Sequence, residues 1–338
     1  MRLNCLSKLN ILSLSAWTGA ALLALSAHAD IVVDLTHIGN PGNLPDYDHP
    51  YGPPYDQRYV GAVDYAYSIG TYEVTVAQYA DFLNAKAAAD PYGLYSVSMA
   101  TSPLGPSILR SGSEGSYSYA VVSGKENQPV RWVSFYDGMR LANWMHNGQG
   151  DGDTETGSYD LSLGAYAVRE PAATWVIPSQ DEWYKAAYYK GGSMNAGYWT
   201  YATQSDEPPS NSRDGGLNQA NYRRAGVFCS TQSGDFRSSE PYLTDVGAFS
   251  GSPSPYGTFD QQGNVQEWND LTGISDPARG LRGGSWYQGL FFLTHRNAAS
   301  TPTYENGSTG FRVVSPVAEE AQQSQPLTAH SSRSIEDR

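Results

Sequence analysis

The sequence predicts an α+β fold, built as one large domain with little regular secondary structure. Three observations carry that reading. The chain is 40% hydrophobic and 12% aromatic but only 16% charged, with 35 Gly and 25 Tyr. Soluble domains average about 25% charged, so solubility here rests on Tyr, Ser, Asn and Gly. That composition suits loops and short strands rather than long surface helices. Three apolar-periodic stretches each follow a Ser or Thr able to cap a helix. The last third strings glycine turns between short aromatic and β-branched runs, at 256–268, 282–286 and 310–314, the pattern of strands joined by tight loops. No internal linker divides the chain. A single domain is expected over 61–315, with a strand and loop extension at 30–60 and a tail over 316–338.

Residues 1–29 read as a secretory leader. Arg2 and Lys8 form a positive start, Ile11 to Leu25 an apolar run, and Ala27-His28-Ala29 a small-x-small cleavage site before Asp30. Ser13, Ser15, Thr18 and Gly19 interrupt the apolar run, so a cleaved leader is preferred to a retained anchor, and the protein is expected to be exported, periplasmic or extracellular. Asp30 to Gly39, with its apolar run Ile31 to Leu35, resembles an edge strand, 40–60 a loop crowded with Pro and Gly, and 62–70 a strand. Thr75 caps a helix over 76–85, with Tyr79, Phe82 and Leu83 on one face. Residues 90–125 read as a meander with loops.

Pro129 to Ser134 reads as a short strand ending in a cap, followed by an amphipathic helix over 135–145 whose Met139, Leu141, Ala142 and Met145 are core candidates. Ser179 and Glu182 form the S-x-x-E capping box of a third helix, which Gly191-Gly192 ends. Residues 195–255 lack periodicity and read as irregular loops. The tail after Val314 holds Glu, Gln and Ser without an aromatic residue or an apolar run, the composition of a disordered segment.

The formal net charge is −13, and no basic run of five or more occurs. Nucleic-acid binding and attraction to anionic membranes are disfavoured. Cys5 falls in the leader, which leaves Cys229 as the only thiol after cleavage. A lone cysteine beside Val227 and Phe228 reads as a small buried residue. Asp151 to Gly157 suggests a calcium loop, but Thr156 stands where that loop needs Gly and Ser162 where it needs a bidentate Glu. A solvated acidic turn is preferred. His37, His49, His146 and His295 show no HxxxH or HExxH spacing, and no G-x-S-x-G occurs.

Six blocks occur in one order: IGTYEVTVAQYADFLNA, PVRWVSFYDGMRLANWM, WVIPSQDEWYKAAYYKGG, YGTFDQQGNVQEWND, RGLRGGSW and GSTGFRVV. Together they resemble the formylglycine-generating enzyme, or sulfatase-modifying factor, family over about residues 60–315. The resemblance implies a C-type-lectin-like domain. It also implies an oxidase that converts a sulfatase cysteine to formylglycine with oxygen and copper(I) held on two cysteines. Those cysteines lie three and eight positions after the serine of the GGS motif. Here that serine is Ser285, and the positions hold Gln288 and Leu293. Copper(I) is soft and takes thiolates, which an amide and an isobutyl group do not replace. Copper is therefore not expected, and no catalytic residue is assigned.

The resemblance also implies a structural calcium ion in the GNVxEW loop, on Asp260, the carbonyls of Gly263 and Val265, and Glu267. A second calcium would start at Asn221 and the Tyr222 carbonyl. The alternative is a structural turn with Glu267 bonded to backbone amides. Around the family's substrate groove stand Ser285, Trp286, Tyr287, Gln288, Phe291, His295 and Arg296, either a recognition surface or, in the reading preferred for the aromatics, Trp286 and Phe291 in the core with Arg296 in an ion pair. The expected function is a secreted, non-catalytic recognition protein for a peptide, protein or glycan. Oxidation of protein cysteine, altered chemistry in the same groove, and a structural cell-surface role are the competing readings.

Overall fold

The structure is a computed structural model and describes residues 30–47, 59–238, 240–271, 277–294 and 298–316. The leader and, apart from Pro316, the tail lie outside them. Each predicted helix starts at its cap. Thr75 accepts the Gln78 amide while Gln78 reaches back to the Thr75 amide, and α1 spans Val76–Lys86. A four-residue turn, α2 (Ser98–Thr101), lies in the region expected to be meander. Ser134 and Asp137 make the next reciprocal cap, ahead of α3 (Phe135–His146). Ser179 and Glu182 make the last, ahead of α4 (Gln180–Tyr188). Each box satisfies two amides that a helix start would otherwise leave orphaned.

The strands are short. β1 (Leu35–Ile38) and β2 (Tyr67–Gly70) pair antiparallel. β3 (Ile108–Ser111) and β4 (Ser118–Val121) form a hairpin, as do the two-residue β5 (Arg223–Arg224) and β6 (Val227–Phe228). β7 (Gln266–Asn269), β8 (Arg279–Arg282), β9 (Ala298–Ser300) and β10 (Thr309–Gly310) form a sheet in the order β10-β7-β8-β9, with β10 parallel to β7. β11 (Val314–Ser315) returns to β2, which gives a sheet in the order β1-β2-β11.

Three predicted strands are shortened or lost, the first two because side chains take over from a ladder and the third because the backbone turns. Ile31, expected within the first strand, donates its amide to Gln149 Oε1 (2.7 Å) and accepts from Gln149 Nε2 at its carbonyl (3.0 Å), so pairing starts only at Leu35. The strand expected from Ala62 begins at Tyr67, since Gly61 and Val63 give their amides to Asp181 and Asn43. Val130 donates to the Val74 carbonyl (2.8 Å), but Trp132 at φ +62° turns the chain before a strand can form over 129–134. Among the described residues between 195 and 255, only the β5–β6 hairpin and isolated bridges interrupt irregular chain, as expected.

The main core lies between α1, α3 and the β1-β2-β11 sheet. Tyr79, Phe82 and Leu83 of α1 meet Met139, Leu141, Ala142 and Trp144 of α3, with Ile69, Ile177, Val313 and Val314 behind them. The Phe82 and Trp144 rings stand 5.2 Å apart. Against this core the GNV loop and β7 are held rigidly enough to carry a buried polar network.

Candidate functional site

Glu267 sits on β7 with no exposed surface, and both its oxygens are bonded. Arg312 Nε reaches Oε2 at 2.6 Å and Nη2 reaches Oε1 at 2.7 Å, while the Trp183 indole donates to Oε2 at 2.8 Å. Arg312 spends its remaining protons on the carbonyls of Gly70 (2.9 Å), Thr71 (3.2 Å) and Phe259 (2.8 Å). One guanidinium thus ties β2, the loop before Asp260, β7 and the approach to β11 together. A bidentate pair of this kind suits Arg rather than Lys. A second buried pair, Arg169–Glu182 at 2.5 Å, stands beside the α4 cap. Burial raises the Glu182 carboxyl, but Arg169 more than compensates and leaves it below the usual range.

Glu73 and Asp260 complete the acidic side of the network. Glu73 accepts from Asn264 Nδ2 at 3.4 Å, and its other oxygen is buried without a partner. Burial, with Asp260 and Glu267 nearby, holds the Glu73 carboxyl well above the ordinary range. Burial also lifts Asp260 to about 6, although the Gly247 amide donates to it at 2.5 Å. Asp137 rises to about 7 and Asp270 to about 6, again through burial.

These raised values fix a pH dependence. A carboxyl whose pKa is higher folded than unfolded stabilises the fold fully below its unfolded pKa, near 4. That contribution is lost as pH rises through the folded value. Melting temperature should therefore fall by about 5 °C between pH 5.5 and 8 at fixed ionic strength, and Asp260→Asn should flatten the slope. A curve that rises over that window would contradict the assignment.

The groups expected to bind calcium are only partly brought together. Gly263 sits at φ +87°, with its α-carbon packed against the Asn221 backbone, and Val265 is buried. Asp260 faces the Gly247 amide. A calcium ion on Glu267 would stand where Arg312 already neutralises it, so Glu267 in this arrangement does not fit that ligand set. Asn221 is different. Its Nδ2 donates to the Tyr242 carbonyl at 2.9 Å, and its Oδ1 is buried without a hydrogen-bond partner. The neighbouring Tyr222 carbonyl receives only a 3.4 Å contact from Asn211. Among the described residues no three of His, Cys, Asp and Glu are grouped to hold a metal.

The groove residues divide. Ser285 is buried and donates to Gln288 Oε1 at 3.2 Å, while Leu293 is packed with Ala220, Tyr222 and Leu290. The two positions that would carry copper thiolates thus hold a bonded amide and a core leucine, which do not fit copper(I). Trp286 is buried between Phe228 and Tyr242, its amide donating to Asn264. Phe291, for which core was the expected place, is instead 45% exposed, because the 290–292 turn carries it outward. Tyr287 is 44% exposed. His295 and Arg296 lie outside the described residues.

Cys229 is buried, and burial pushes its thiol up to about 11, so it is neutral and unreactive near pH 7. The acidic turn at 151–157 closes on itself, with Asp153 accepting from the amide and hydroxyl of Thr156 and from the Glu155 amide. Sequence reasoning missed the Trp183 contact, the burial of Glu73, and the aromatic group of Phe228, Phe236, Tyr242 and Trp286. Phe236 stands in a loop with no periodicity to mark it.

No helix among the described residues is long and apolar enough to cross a membrane. Residues 59–317 match the model of a family described as the sulfatase-modifying factor enzyme 1-like domain. Among solved structures the chain is similar to CarF, at 21% identity and a TM-score of 0.53 over 85% of this chain and 99% of that one. It is also similar to variable protein 1 of Treponema denticola, at 19% identity and a TM-score of 0.49 over 84% and 95%. PvdO from Pseudomonas aeruginosa matches at 17% identity and a TM-score of 0.45 over 83% and 91%. No curated protein sequence matches. At this identity the CarF likeness speaks for the fold alone, and it is the loop-rich α+β fold described above. With four of its six blocks meeting in one buried network and the family model matched over most of its length, the chain belongs to the sulfatase-modifying factor family.

Proposed function

We propose that this is an exported, non-catalytic recognition protein on the family's scaffold, binding a peptide, protein or glycan beside Trp286, Tyr287 and Gln288. One observation carries the reading. Where the family's copper chemistry needs two thiolates, Gln288 is bonded to Ser285 and Leu293 is buried among apolar side chains. The exposed rings of Tyr287 and Phe291 nearby support a surface that touches a ligand.

The test is direct. The chain lacking residues 1–29 is incubated with copper(I), oxygen and a cysteine peptide of sulfatase type, and mass spectrometry looks for the aldehyde. No conversion is expected from folded protein. Conversion, in wild type or Cys229→Ser, would overturn the proposal and restore an oxidase. Export is checked by N-terminal sequencing, which should begin at Asp30. A structural calcium remains part of the proposal, supported by the unpartnered Asn221 Oδ1. Chelation should then lower the melting temperature, and an unchanged melt would remove the ion from the reading.

A further inference from the structure

We infer that the surface around Phe236 and Tyr287 takes an anionic glycan, one bearing carboxylate or sulfate groups. The inference rests on the recognition role just proposed and names its ligand class.

The arginines carry the first half of the argument. Outside residues 213–237, every described arginine is buried or faces an acid. Arg110 faces Asp90, Arg140 Glu155, Arg169 Glu182, Arg279 Asp270 and Arg312 Glu267. Arg131 and Arg282 are buried. In a chain of net charge −13 this is the expected use of scarce cations.

Arg213, Arg224 and Arg237 break the pattern. All three are exposed, and none pairs with an acid among the described residues. Arg223, half-buried, lies over the Phe228 ring at 4.7 Å and donates to the carbonyls of Gly226 and Gly234. The acids of the same segment, Asp214, Asp235 and Glu240, pair with none of them. Asp214 is bonded to the Gly216 amide and the Gln219 side chain.

Arg223 and Arg237 are tied to the groove through their backbones, and Arg224 follows Arg223 on β5. The Arg223 amide donates to the Gln288 carbonyl at 3.0 Å, so the β5–β6 hairpin lies directly against the 285–288 turn. The Arg237 amide donates to the Tyr242 hydroxyl at 2.7 Å. Between them stands the second half of the argument, a stack of rings. Phe236 lies on Tyr242 (5.1 Å, 18° between planes) and on Trp286 (6.2 Å, 29°), both of which are buried. Phe236 itself is 50% exposed, and Tyr287 stands 5.3 Å from Trp286.

A large ring fixed by two buried rings and left open at the surface is a flat, rigid apolar platform. A pyranose ring lays its C–H face on such a platform. A carboxylate or sulfate on that sugar meets a guanidinium fork with paired hydrogen bonds. An acidic peptide would satisfy the arginines but would have no use for the open face of Phe236, which favours the glycan.

The test passes residues 30–338 over immobilised polygalacturonate, dextran sulfate, neutral dextran and polyglutamate, at low and at physiological ionic strength. Retention on polygalacturonate or dextran sulfate is expected, and the arm that retains the protein distinguishes carboxylate from sulfate. Binding should weaken about tenfold in Arg224→Gln/Arg237→Gln, with an unchanged melting curve because both side chains are exposed, and about tenfold in Phe236→Ala, whose melting curve should fall only by what the lost stacking on Tyr242 and Trp286 accounts for. Equal retention on neutral dextran would overturn the anionic inference while a recognition role survived. Retention on polyglutamate, indifferent to Phe236→Ala, would assign an acidic peptide instead. Retention on none of the four overturns the inference, and aldehyde formation in the cysteine-peptide assay then overturns the recognition reading as well.

Discussion

Glu267→Gln should lower the melting temperature by about 10 °C, from a loss of about 3–5 kcal/mol. The substitution changes one atom, so its effect isolates charge and proton placement. Arg312 would stay buried without its directly bonded counter-charge, left to the more distant Asp260 and Glu73, its Nε and Nη2 now facing a group that carries protons of its own. Whichever way the new amide turns, its NH₂ meets the guanidinium, and at the Oε2 position it meets the Trp183 indole as well. Arg312→Met should cost about as much, because it leaves the carboxylate buried alone and removes the donor from the Gly70, Thr71 and Phe259 carbonyls.

Combining the two changes removes the stranded charge and should recover part of the loss. The three carbonyls still lack a donor, so the double variant stays below wild type. Thermal unfolding of the four proteins forms a double-mutant cycle. A Glu267→Gln protein melting within about 1 °C of wild type would mean that the pair does not hold these segments together.

The second large effect is expected at Gly263. Its φ of +87° is strained for any residue with a side chain. The surroundings forbid one as well, since an added Cβ would overlap the Asn221 carbonyl oxygen and stand 2.7 Å from the carbonyl carbon. Gly263→Ala therefore has to separate the Asn221 and Gly263 backbones, which form a parallel bridge. The Asn264 amide would lose its 2.8 Å bond to the Asn221 carbonyl. Strain and the broken bridge together should cost about 3–5 kcal/mol. Denaturant unfolding measures it directly. Gly257→Ala is the control: it too has positive φ, at +100°, but a Cβ there meets nothing within 4 Å. Equal losses at both positions would show that backbone strain alone, and not the Asn221 contact, sets the cost.

The helices were legible because capping is local chemistry. Thr75, Ser134 and Ser179 each declare a start within four residues, and no distant contact has to be known. The strands were less so. Ile31 to Val33 has the composition of a strand, yet Gln149, more than a hundred residues away, supplies the partners that a ladder would have given. Trp132 offered no sign of its positive φ, which depends on the backbone of Asn306 accepting its amide. At the site, Gly263 and Glu267 stood out as residues but not in their roles. Calcium ligation and a buried ion pair call for the same carboxylate, and only the position of Arg312, forty-five residues downstream, separates them. The Phe236 platform was illegible because its members come from three loops with no shared period.

The pairing of β11 with β2 has a consequence for how the chain is assembled. Val314 meets Ile69, and Arg312 carries its bonds to Gly70 and Thr71, so the first sheet is finished by nearly the last described residues. During synthesis the early strands wait, unpaired on one side, until almost the entire domain has been made. Synthesis order and assembly order therefore run against each other, and cooperative folding belongs to the completed polypeptide rather than to its growing N-terminal part. The same order leaves β1 and β11, the first and last strands of the described chain, on the two edges of one sheet with β2 shared between them.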